Sequence, residues 1–248
     1  MSDISLLIED VNLSFPRNRI GLKSVLGWLT GFKFKSQKIE PFHALKNINL
    51  TISKGEVIGI IGRNGASKST LLRVMSGIFQ PDSGMALSSG SVSLLSNVRI
   101  GFNGNLSGRE NVYLYGSILG HSRRSMSGMM QGIIDFSELS DFIDQPLRTY
   151  SSGMQARLGL SIASAVKPEI LLIDEVLAVG DISFKERSRH RIKEMVDGAS
   201  TVVIVSHSLN YIKEVCNRVI VMNQGEIEFQ GPPEESIQFY LDLNSRGK

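Results

Sequence analysis

Short apolar runs alternate along the chain with longer amphipathic stretches. The runs at 57–61, 170–173 and 201–205 are continuous and rich in β-branched residues, which is typical of strands inside a parallel sheet covered on both faces. Residues 6–15 alternate roughly between apolar and polar positions and predict a further strand, and the segment 44–52 predicts another. We therefore predict an α/β protein with parallel strands at its core.

The middle and the end of the chain have different patterns. Residues 107–140 show helical periodicity interrupted by loops, so we predict a helical insertion from about residue 101 to residue 155. The serine-rich segment 88–95 predicts edge-strand and loop structure. A strand, a turn and a strand follow at 219–229, and a terminal helix is predicted at 234–243, after two prolines.

A glycine-rich turn joins the first apolar run to the next helix. It reads Gly62-Arg-Asn-Gly-Ala-Ser-Lys68-Ser69. This is the P-loop spacing, in which backbone N–H groups surround a β-phosphate, the lysine reaches the β- and γ-phosphates, and the hydroxyl holds Mg²⁺. The position before the lysine, where glycine is expected, is Ser67, whose Cβ lies where the backbone must approach an anion. We expect binding to survive this change and leave the catalytic rate open. The alternative is a serine-rich helix cap.

Three more segments place polar residues at the ends of expected elements. Ser151, Ser152 and Gly153 precede an amphipathic helix and make a second anion-binding helix start. The run at 170–173 ends in Asp174, suited to hold Mg²⁺, and Glu175, suited to orient or deprotonate a water. The run at 201–206 ends at His207, on the sheet edge where α/β proteins bind ligands. The structural alternatives are a surface turn whose polar groups are hydrogen-bonded, for Asp174 and Glu175, and a surface histidine that caps the next helix, for His207.

Composition excludes several classes of protein. The chain has 248 residues, 42% hydrophobic and 21% charged, which is ordinary for a soluble domain with a full core. No apolar run approaches the roughly 18 to 20 residues of a membrane span, and the first residues lack a signal-peptide pattern, so a cytoplasmic protein is expected. The single Cys216 excludes an internal disulfide framework and predicts a small core residue. A net charge of +3 is too small to indicate nucleic acid.

The segment from Arg17 to Lys38 differs from the rest of the chain. It carries six basic residues, no acidic residue and the only tryptophan, Trp28, among apolar residues. One interpretation is an amphipathic helix at a membrane surface or against a partner helix. The other is a solvated basic loop with a small hydrophobic plug.

The order of these parts resembles the nucleotide-binding subunit of an ABC transporter, and the resemblance covers nearly the whole chain. It implies a P-loop NTPase cassette with a mostly parallel core sheet, an antiparallel β part and a helical insertion. It also implies that the protein uses ATP and Mg²⁺. The family's D-loop corresponds to 178–181. The implied roles are catalytic for Glu175, His207 and Lys68; nucleotide contact for Phe15, Gly62, Asn64, Gly65, Ala66, Ser67, Lys68, Ser69, Thr70, Ser151, Ser152 and Gly153; and metal contact for Ser69, Asp174 and Asn103.

The sequences of three stretches indicate a narrower group within this family. The sequences YSSGM and LIDEVLAVGD and the segment 101–111 are similar to exporters of bacterial surface polysaccharides such as capsule, O-antigen or teichoic acid. That resemblance implies a homodimer of ATPase subunits, two integral-membrane permease subunits and a lipid-linked polysaccharide as cargo, with no nucleic acid partner. The protein is expected on the cytoplasmic face of the inner membrane. The expected organisation is one ATPase domain over 1–248, with a basic insertion at about 17–40, a helical subdomain at about 101–155, and a short C-terminal helix without a glycan-binding domain.

Two departures from the family pattern affect the expected activity. Ser67 replaces a glycine, and Asn103 stands where a glutamine is usual. The main hypothesis remains an active ATPase, with slow turnover allowed. One alternative is a regulatory module that binds nucleotide and turns it over weakly because of Ser67. The other is a non-transport ABC ATPase of ribosomes or DNA, although such proteins usually have two cassettes or a long coiled-coil insertion, and this sequence has neither.

Overall fold

The computed structural model describes residues 3–16, 40–95, 101–166, 168–174 and 182–246. The predicted basic segment at 17–38, Glu175 and the residues 178–181 lie outside the described residues. The strands are β1 (Ile4–Phe15), β2 (Phe42–Ser53), β3 (Val57–Gly62), β4 (Ser83–Ser88), β5 (Val92–Leu95), β6 (Ile170–Asp174), β7 (Thr201–Val205), β8 (Arg218–Asn223) and β9 (Glu226–Gly231).

The main sheet has the order β5-β6-β7-β3-β8-β9. Its neighbouring strands are parallel except at β8 and β9, which pair antiparallel as a hairpin. Since parallel strands end at one edge, the carboxyl ends of β3, β6 and β7 lie side by side. The smaller sheet has the order β2-β1-β4 and is antiparallel. The predicted mixture of a mostly parallel sheet and an antiparallel part is confirmed.

The described helices lie between these strands in the chain, except the last one, which follows β9. They are α1 (Lys68–Met75), α2 (Gly108–Ile118), α3 (Arg123–Ser137), α4 (Ser152–Ala165), α5 (Ile182–Gly198), α6 (Leu209–Val215) and α7 (Pro233–Arg246), with a 3₁₀ turn at Leu147–Thr149. The helix α7 begins one residue earlier than the sequence predicts, because Pro233 has no N–H to lose and fits the first turn of a helix. No helix of the described residues is both long enough and apolar enough to cross a membrane.

Two hydrophobic clusters cover the two faces of the main sheet. One contains Ile58 and Ile60 of β3 with inward residues of the small sheet such as Leu6. The other contains Ile61 with the apolar faces of α4 and α5. Because β3 is covered on both faces, nearly every position in it is apolar, as the continuous run predicts. Cys216 is a buried core residue, as predicted, and burial raises the pKa of its thiol to about 12.

Candidate nucleotide-binding site

The P-loop follows β3 without an intervening residue. Gly62 ends the strand, and a Cβ at this position would overlap the backbone carbonyl of Met222 in β8. Gly65 has φ +83°, a left-handed conformation that glycine adopts without steric cost. The N–H of Ala66 donates to the Arg63 carbonyl at 3.1 Å, which closes a tight turn. The backbone of this turn therefore requires Gly62 and Gly65 independently of any ligand.

Lys68 lies inside this turn. Its side chain is buried, with 8% of the residue exposed, and Nζ donates to the carbonyls of Gly62 at 2.8 Å and Arg63 at 3.0 Å. An ammonium group held by backbone carbonyls in a low-dielectric site interacts strongly with a phosphate that comes close to it. The structure thus places the cation of the P-loop at the start of α1, as the motif predicts.

Ser67 occupies the position before α1 in a left-handed conformation, with φ 72° and ψ 22°. A residue with a Cβ pays about 1 kcal/mol for this conformation, which explains why glycine is usual here. The Ser67 hydroxyl accepts no hydrogen bond from the first turn of α1. The alternative interpretation as an ordinary serine cap is therefore wrong, because a capping serine has an extended backbone and accepts from the first turn.

Ser69 and Asp174 meet although they are far apart in sequence. The Ser69 hydroxyl donates to Asp174 Oδ1 at 3.0 Å, across 105 positions of the chain. Ser69 belongs to the first turn of α1 and Asp174 is the last residue of β6. A hydroxyl and a carboxylate are hard oxygen donors of the kind Mg²⁺ prefers, and phosphate oxygens and water complete such a shell. The residues present therefore fit a magnesium ion bound next to the P-loop.

His207 borders the same loop from the other side. It follows β7 and lines a cavity of about 430 Å³ together with Gly62, Arg63 and Asn64 of the P-loop. Two residues of α7, Tyr240 and Asn244, complete the lining. The sequence prediction had placed His207 at the ligand-binding edge, and the structure puts it there. The sequence does not predict the contribution of α7, because the local sequence of a terminal helix does not indicate which distant loop it will lie beside.

Phe15 ends β1, at the rim of the small sheet. Its ring contacts Phe79 edge to face, with 5.6 Å between ring centroids, and the Arg73 guanidinium lies 5.7 Å from the centre of the Phe79 ring. Phe79 follows the P-loop helix α1. Phe15, the aromatic residue proposed to stack on adenine, thus contacts the segment that follows α1.

The second predicted helix start belongs to α4. Ser151 has an extended backbone, and its hydroxyl accepts from the Met154 N–H at 3.2 Å, so it caps the helix in the usual way. In the part of the chain that the structure describes, no hydrogen bond joins Ser151, Ser152 or Gly153 to the P-loop. Because α4 packs against α2, α3 and α5 instead, the two helix starts predicted to bind anions belong to different regions of this chain.

Tyr150, directly before this cap, fixes the segment to the helical region. Its hydroxyl donates to the Phe142 carbonyl at 2.6 Å and lies against Gly108 at the start of α2, where a Cβ would overlap it. Burial, and to a smaller extent the Asp144 carboxylate, raises the pKa of Tyr150 to about 12. The phenol therefore stays neutral and hydrogen-bonded at physiological pH.

Asn103 has a local role that the sequence did not predict. Its side-chain oxygen accepts from the Asn105 N–H at 3.0 Å, and its backbone N–H donates to Asn111 at 2.8 Å. Asn111 is fully buried and its amide donates to the carbonyls of Asn103, Leu106 and Ser107. Among the hydrogen bonds of the described residues, none joins Asn103 to Ser69 or Asp174. Its metal role stays a prediction.

The start of α2 explains part of the stretch that resembles polysaccharide exporters. Ser107 and Glu110 form a reciprocal capping box, in which each side chain accepts from the other's backbone N–H. The pKa of the Glu110 carboxyl is lowered, first by the Ser107 backbone N–H and then by the Ser107 hydroxyl. The serine, glutamate and buried asparagine of this stretch thus build the turn before α2. A capping-box search of the sequence could have found Ser107 and Glu110.

The fold and the site define a P-loop nucleotide-binding protein. A central strand runs into a glycine turn with a buried lysine, and an oxygen pair lies beside the loop. The sequence profile of the ABC transporter family matches residues 45–178. This chain belongs to that family and is one of its ATP-binding subunits.

Several relatives match over most of the chain. It is 39% identical over 243 residues to "ABC transporter protein AbcA" of Aeromonas salmonicida, covering 98% of this chain and 78% of that one. It is 42% identical over 207 residues to "O-antigen export system ATP-binding protein RfbB" of Klebsiella pneumoniae, covering 84% of each chain. It is 44% identical over 212 residues to "Teichoic acids export ATP-binding protein TagH" of Lactococcus lactis, covering 86% of this chain but only 45% of that one. The matched region is therefore less than half of this last relative.

Solved structures agree with the fold at lower identity. The "Dimeric structure of a post-hydrolysis state of the ATP-binding cassette MJ0796 bound to ADP and Pi" superposes with a TM-score of 0.68 at 22% identity, covering 92% of this chain and 98% of that one. At this identity the similarity supports the ATP-binding cassette fold alone.

Proposed function

We propose that this chain hydrolyses ATP to power the export of a lipid-linked surface polysaccharide across the bacterial inner membrane. The observation that supports the hydrolytic part is the Ser69–Asp174 contact near the buried Lys68, because it brings together the residues proposed to bind phosphate and metal. The names of the relatives at 39 to 44% identity support the cargo class. In this proposal two copies work with two permease subunits on the cytoplasmic face of that membrane.

Each residue of the P-loop has a defined task in this proposal. The N–H groups of 65–70 and the positive end of α1 bind the β-phosphate, and Lys68 moves from its carbonyl partners to the β- and γ-oxygens. Ser69 and Asp174 would hold Mg²⁺, which supplies charge neutralisation on the phosphates when it is bound. Phe15 would stack on the adenine ring. The transferred phosphoryl group is thus positioned mainly by electrostatic contacts.

Residues beyond the P-loop complete the reaction centre. Glu175 follows Asp174 directly and is proposed to orient or deprotonate the attacking water, while His207 contacts the γ-phosphate from the opposite side. Asn103 would contact the metal or its water. Ser151, Ser152 and Gly153 of a second copy would close over the nucleotide, because in their own chain α4 packs against α2, α3 and α5. Two ATP molecules would then hold the two copies together, and hydrolysis would release them.

A matched pair of proteins tests the enzymatic part. The purified chain is expected to hydrolyse ATP, and Glu175→Gln is expected to lower the turnover at least about 100-fold while ATP still binds. The variant should form dimers with ATP, measured by light scattering. Equal turnover in both proteins would contradict the proposed role of Glu175. Binding without turnover in both would move the assignment to the second candidate below.

The transport part needs a cellular measurement. A strain without this gene should lack the exported polymer on its surface and accumulate lipid-linked polymer inside, and the natural gene should restore export. A gene with Glu175→Gln should not restore it. Normal surface polysaccharide in the deletion strain would reject polysaccharide export as the function.

One observation favours a second candidate, a nucleotide-binding regulatory module with weak turnover. Ser67 holds a strained left-handed conformation where the P-loop backbone approaches phosphate. If this residue silences the site, Ser67→Gly should raise the turnover markedly. An unchanged rate in Ser67→Gly would remove this candidate.

A further inference from the structure

The terminal helix α7 forms one wall of the cavity beside the P-loop. Tyr240 and Asn244 line this cavity of about 430 Å³, whose other lining comes from Gly62, Arg63, Asn64 and His207. The two α7 residues are four positions apart, so they lie on the same face of the helix, one turn from each other. Their neighbour Leu241 points elsewhere and is 47% exposed.

The helix is fixed firmly to the strands that support the P-loop. The Ser236 hydroxyl, fully buried, donates to the Val219 carbonyl of β8 at 3.1 Å. The rings of Phe239 and Phe229 stack with 5.0 Å between centroids and 18° between planes. Since β8 pairs with β3, which leads into the P-loop, α7 and the loop are held by one framework.

The chemistry of this wall suits the positioning of polar groups. The phenol hydroxyl and the amide each donate and accept hydrogen bonds. They line the same cavity as His207, Arg63 and Asn64, and phosphoryl transfer requires the groups around the phosphates to be positioned closely. Because α7 bounds this cavity on one side, it limits the space into which His207 and the P-loop residues can move.

We infer that Tyr240 and Asn244 are positioning residues of the nucleotide site, which act through His207 and the Arg63–Asn64 part of the P-loop. This inference rests on the proposed function, because it assigns their effect to ATP turnover. In this inference they act without touching the reacting phosphate. The expected consequence is that their loss lowers turnover more than it weakens ATP binding.

The kinetic test uses full-length variants with a control on the same helix. Tyr240→Ala and Asn244→Ala are expected to lower kcat about tenfold and to change KM for ATP less than about twofold. Tyr240→Phe, which keeps the ring in the wall, should retain at least about a third of the natural kcat. Leu241→Ala should leave kcat unchanged. Equal kcat in Tyr240→Ala, Asn244→Ala and the natural protein would overturn the inference.

A second readout separates positioning from simple helix packing. The chain has four histidines, so the imidazole NMR signals of His207 are identified by their loss in His207→Ala. Tyr240→Ala and Asn244→Ala should shift those signals, and Leu241→Ala should not. Unshifted His207 signals together with a lowered melting temperature would assign α7 a packing role and overturn the inference.

The two proposals fail in distinguishable ways. If the natural protein shows no ATP turnover beyond that of Glu175→Gln, the proposed function fails, whatever the NMR signals show. If the natural protein hydrolyses ATP and the α7 variants match it, only the inference about Tyr240 and Asn244 fails.

Discussion

The two helix starts that carry the nucleotide motifs are built in opposite ways. At α1 the residue before the helix is left-handed and its hydroxyl accepts nothing from the first turn, so this helix start has no side-chain cap. At α4 Ser151 has an extended backbone and caps its own helix. The chain therefore leaves the first helix start open and closes the second.

The surroundings of the two helix starts differ as well. The P-loop start has a buried lysine, and Asp174 lies within hydrogen-bond distance of Ser69. Neither helix has an acidic residue in its first turn. Outside the backbone of α4, and among the described residues, only Ser151 Oγ lies near the place where a Cβ of Gly153 would be, at 3.8 Å. The buried lysine and the oxygen pair at one start, and the open space beside Gly153 at the other, are consistent with the proposed arrangement in which one copy binds the nucleotide and a second covers it.

The largest effect is expected from placing a negative charge at the second start. Gly153→Asp should fit into the chain without overlap and should stabilise α4 slightly, because an acidic residue suits the first turn of a helix. It should leave ATP binding by the single chain within about twofold, but should lower turnover at least about 100-fold by repelling the phosphates of a second copy. Equilibrium ATP binding and steady-state turnover measure the two effects.

Lys68→Ala is the matched variant at the first start. It should weaken ATP binding itself at least about tenfold, because a charged hydrogen bond to phosphate is lost. Normal turnover in Gly153→Asp would contradict the two-copy arrangement, and so would a loss of ATP binding equal to that of Lys68→Ala.

A moderate effect is expected from removing the backbone strain at Ser67, before α1. Ser67→Gly should raise the free energy of unfolding by up to about 1 kcal/mol, since glycine adopts the left-handed conformation without cost. It should also strengthen ATP binding, because a Cβ leaves the phosphate site. Thermal unfolding and ATP titration provide the two measurements.

Gln224 offers the control for this change. It also has a positive φ, 47°, but lies in the turn between β8 and β9. Gln224→Gly should give a similar gain in stability with unchanged ATP binding. If both variants strengthened ATP binding equally, the effect of Ser67 would not come from the phosphate site.

A smaller effect is expected at the ion pairs that connect α3 to α4 and α5. Glu138, at the end of α3, pairs with Arg157 of α4 at 2.8 Å and with Arg187 of α5 at 2.7 Å, and both arginines lie over the Phe184 ring. Glu138→Gln should lower the free energy of unfolding by about 1 kcal/mol, because these pairs are only partly exposed. Urea unfolding measures the change.

The pair of Arg109 and Asp144 is the control, since it is the more exposed pair, with side-chain exposures of 40% and 69%. Asp144→Asn should therefore cost less than Glu138→Gln. A larger loss of stability in Asp144→Asn than in Glu138→Gln would show that the ion pairs of Glu138 do not stabilise α4.

The smallest effect is expected in alkaline solution. Because burial raises the pKa of Tyr150 above its ordinary value of 10.0 to about 12, the neutral phenol stabilises the fold fully below about pH 10, and this contribution is lost as pH rises toward 12. Tyr150→Phe removes the titration but also the hydrogen bond to Phe142, at a cost of about 1 kcal/mol at neutral pH.

Melting temperatures between about pH 8 and pH 10.5 should therefore fall less steeply with pH in Tyr150→Phe than in the natural protein. Cys216, whose pKa burial also raises to about 12, remains in both proteins and does not affect the difference. Parallel curves would show that Tyr150 does not titrate with unfolding.

The sequence did not predict β4 (Ser83–Ser88), which begins before the expected edge strand at 88–95. It was sufficient to predict the P-loop, most of the other strands and the helices between 101 and 155. These features depend on short-range patterns, such as continuous apolar runs and glycines at fixed spacing. The sequence also located Asp174 and His207 at strand ends. It did not predict the local hydrogen bonds of Asn103, because an asparagine side chain can bond to nearby backbone or to a distant ligand with equal chemistry.

Only the tertiary structure decided which distant residues meet. Ser69 contacts Asp174 because β3 and β6 are parallel strands of one sheet, separated by β7, and both end at the same edge. Tyr240 reaches the P-loop because α7 packs back on β8, the other neighbour of β3. The physical reason is that local propensity fixes where each element begins and ends, whereas contacts between elements depend on the burial of their apolar faces against one another, which no short stretch of sequence specifies.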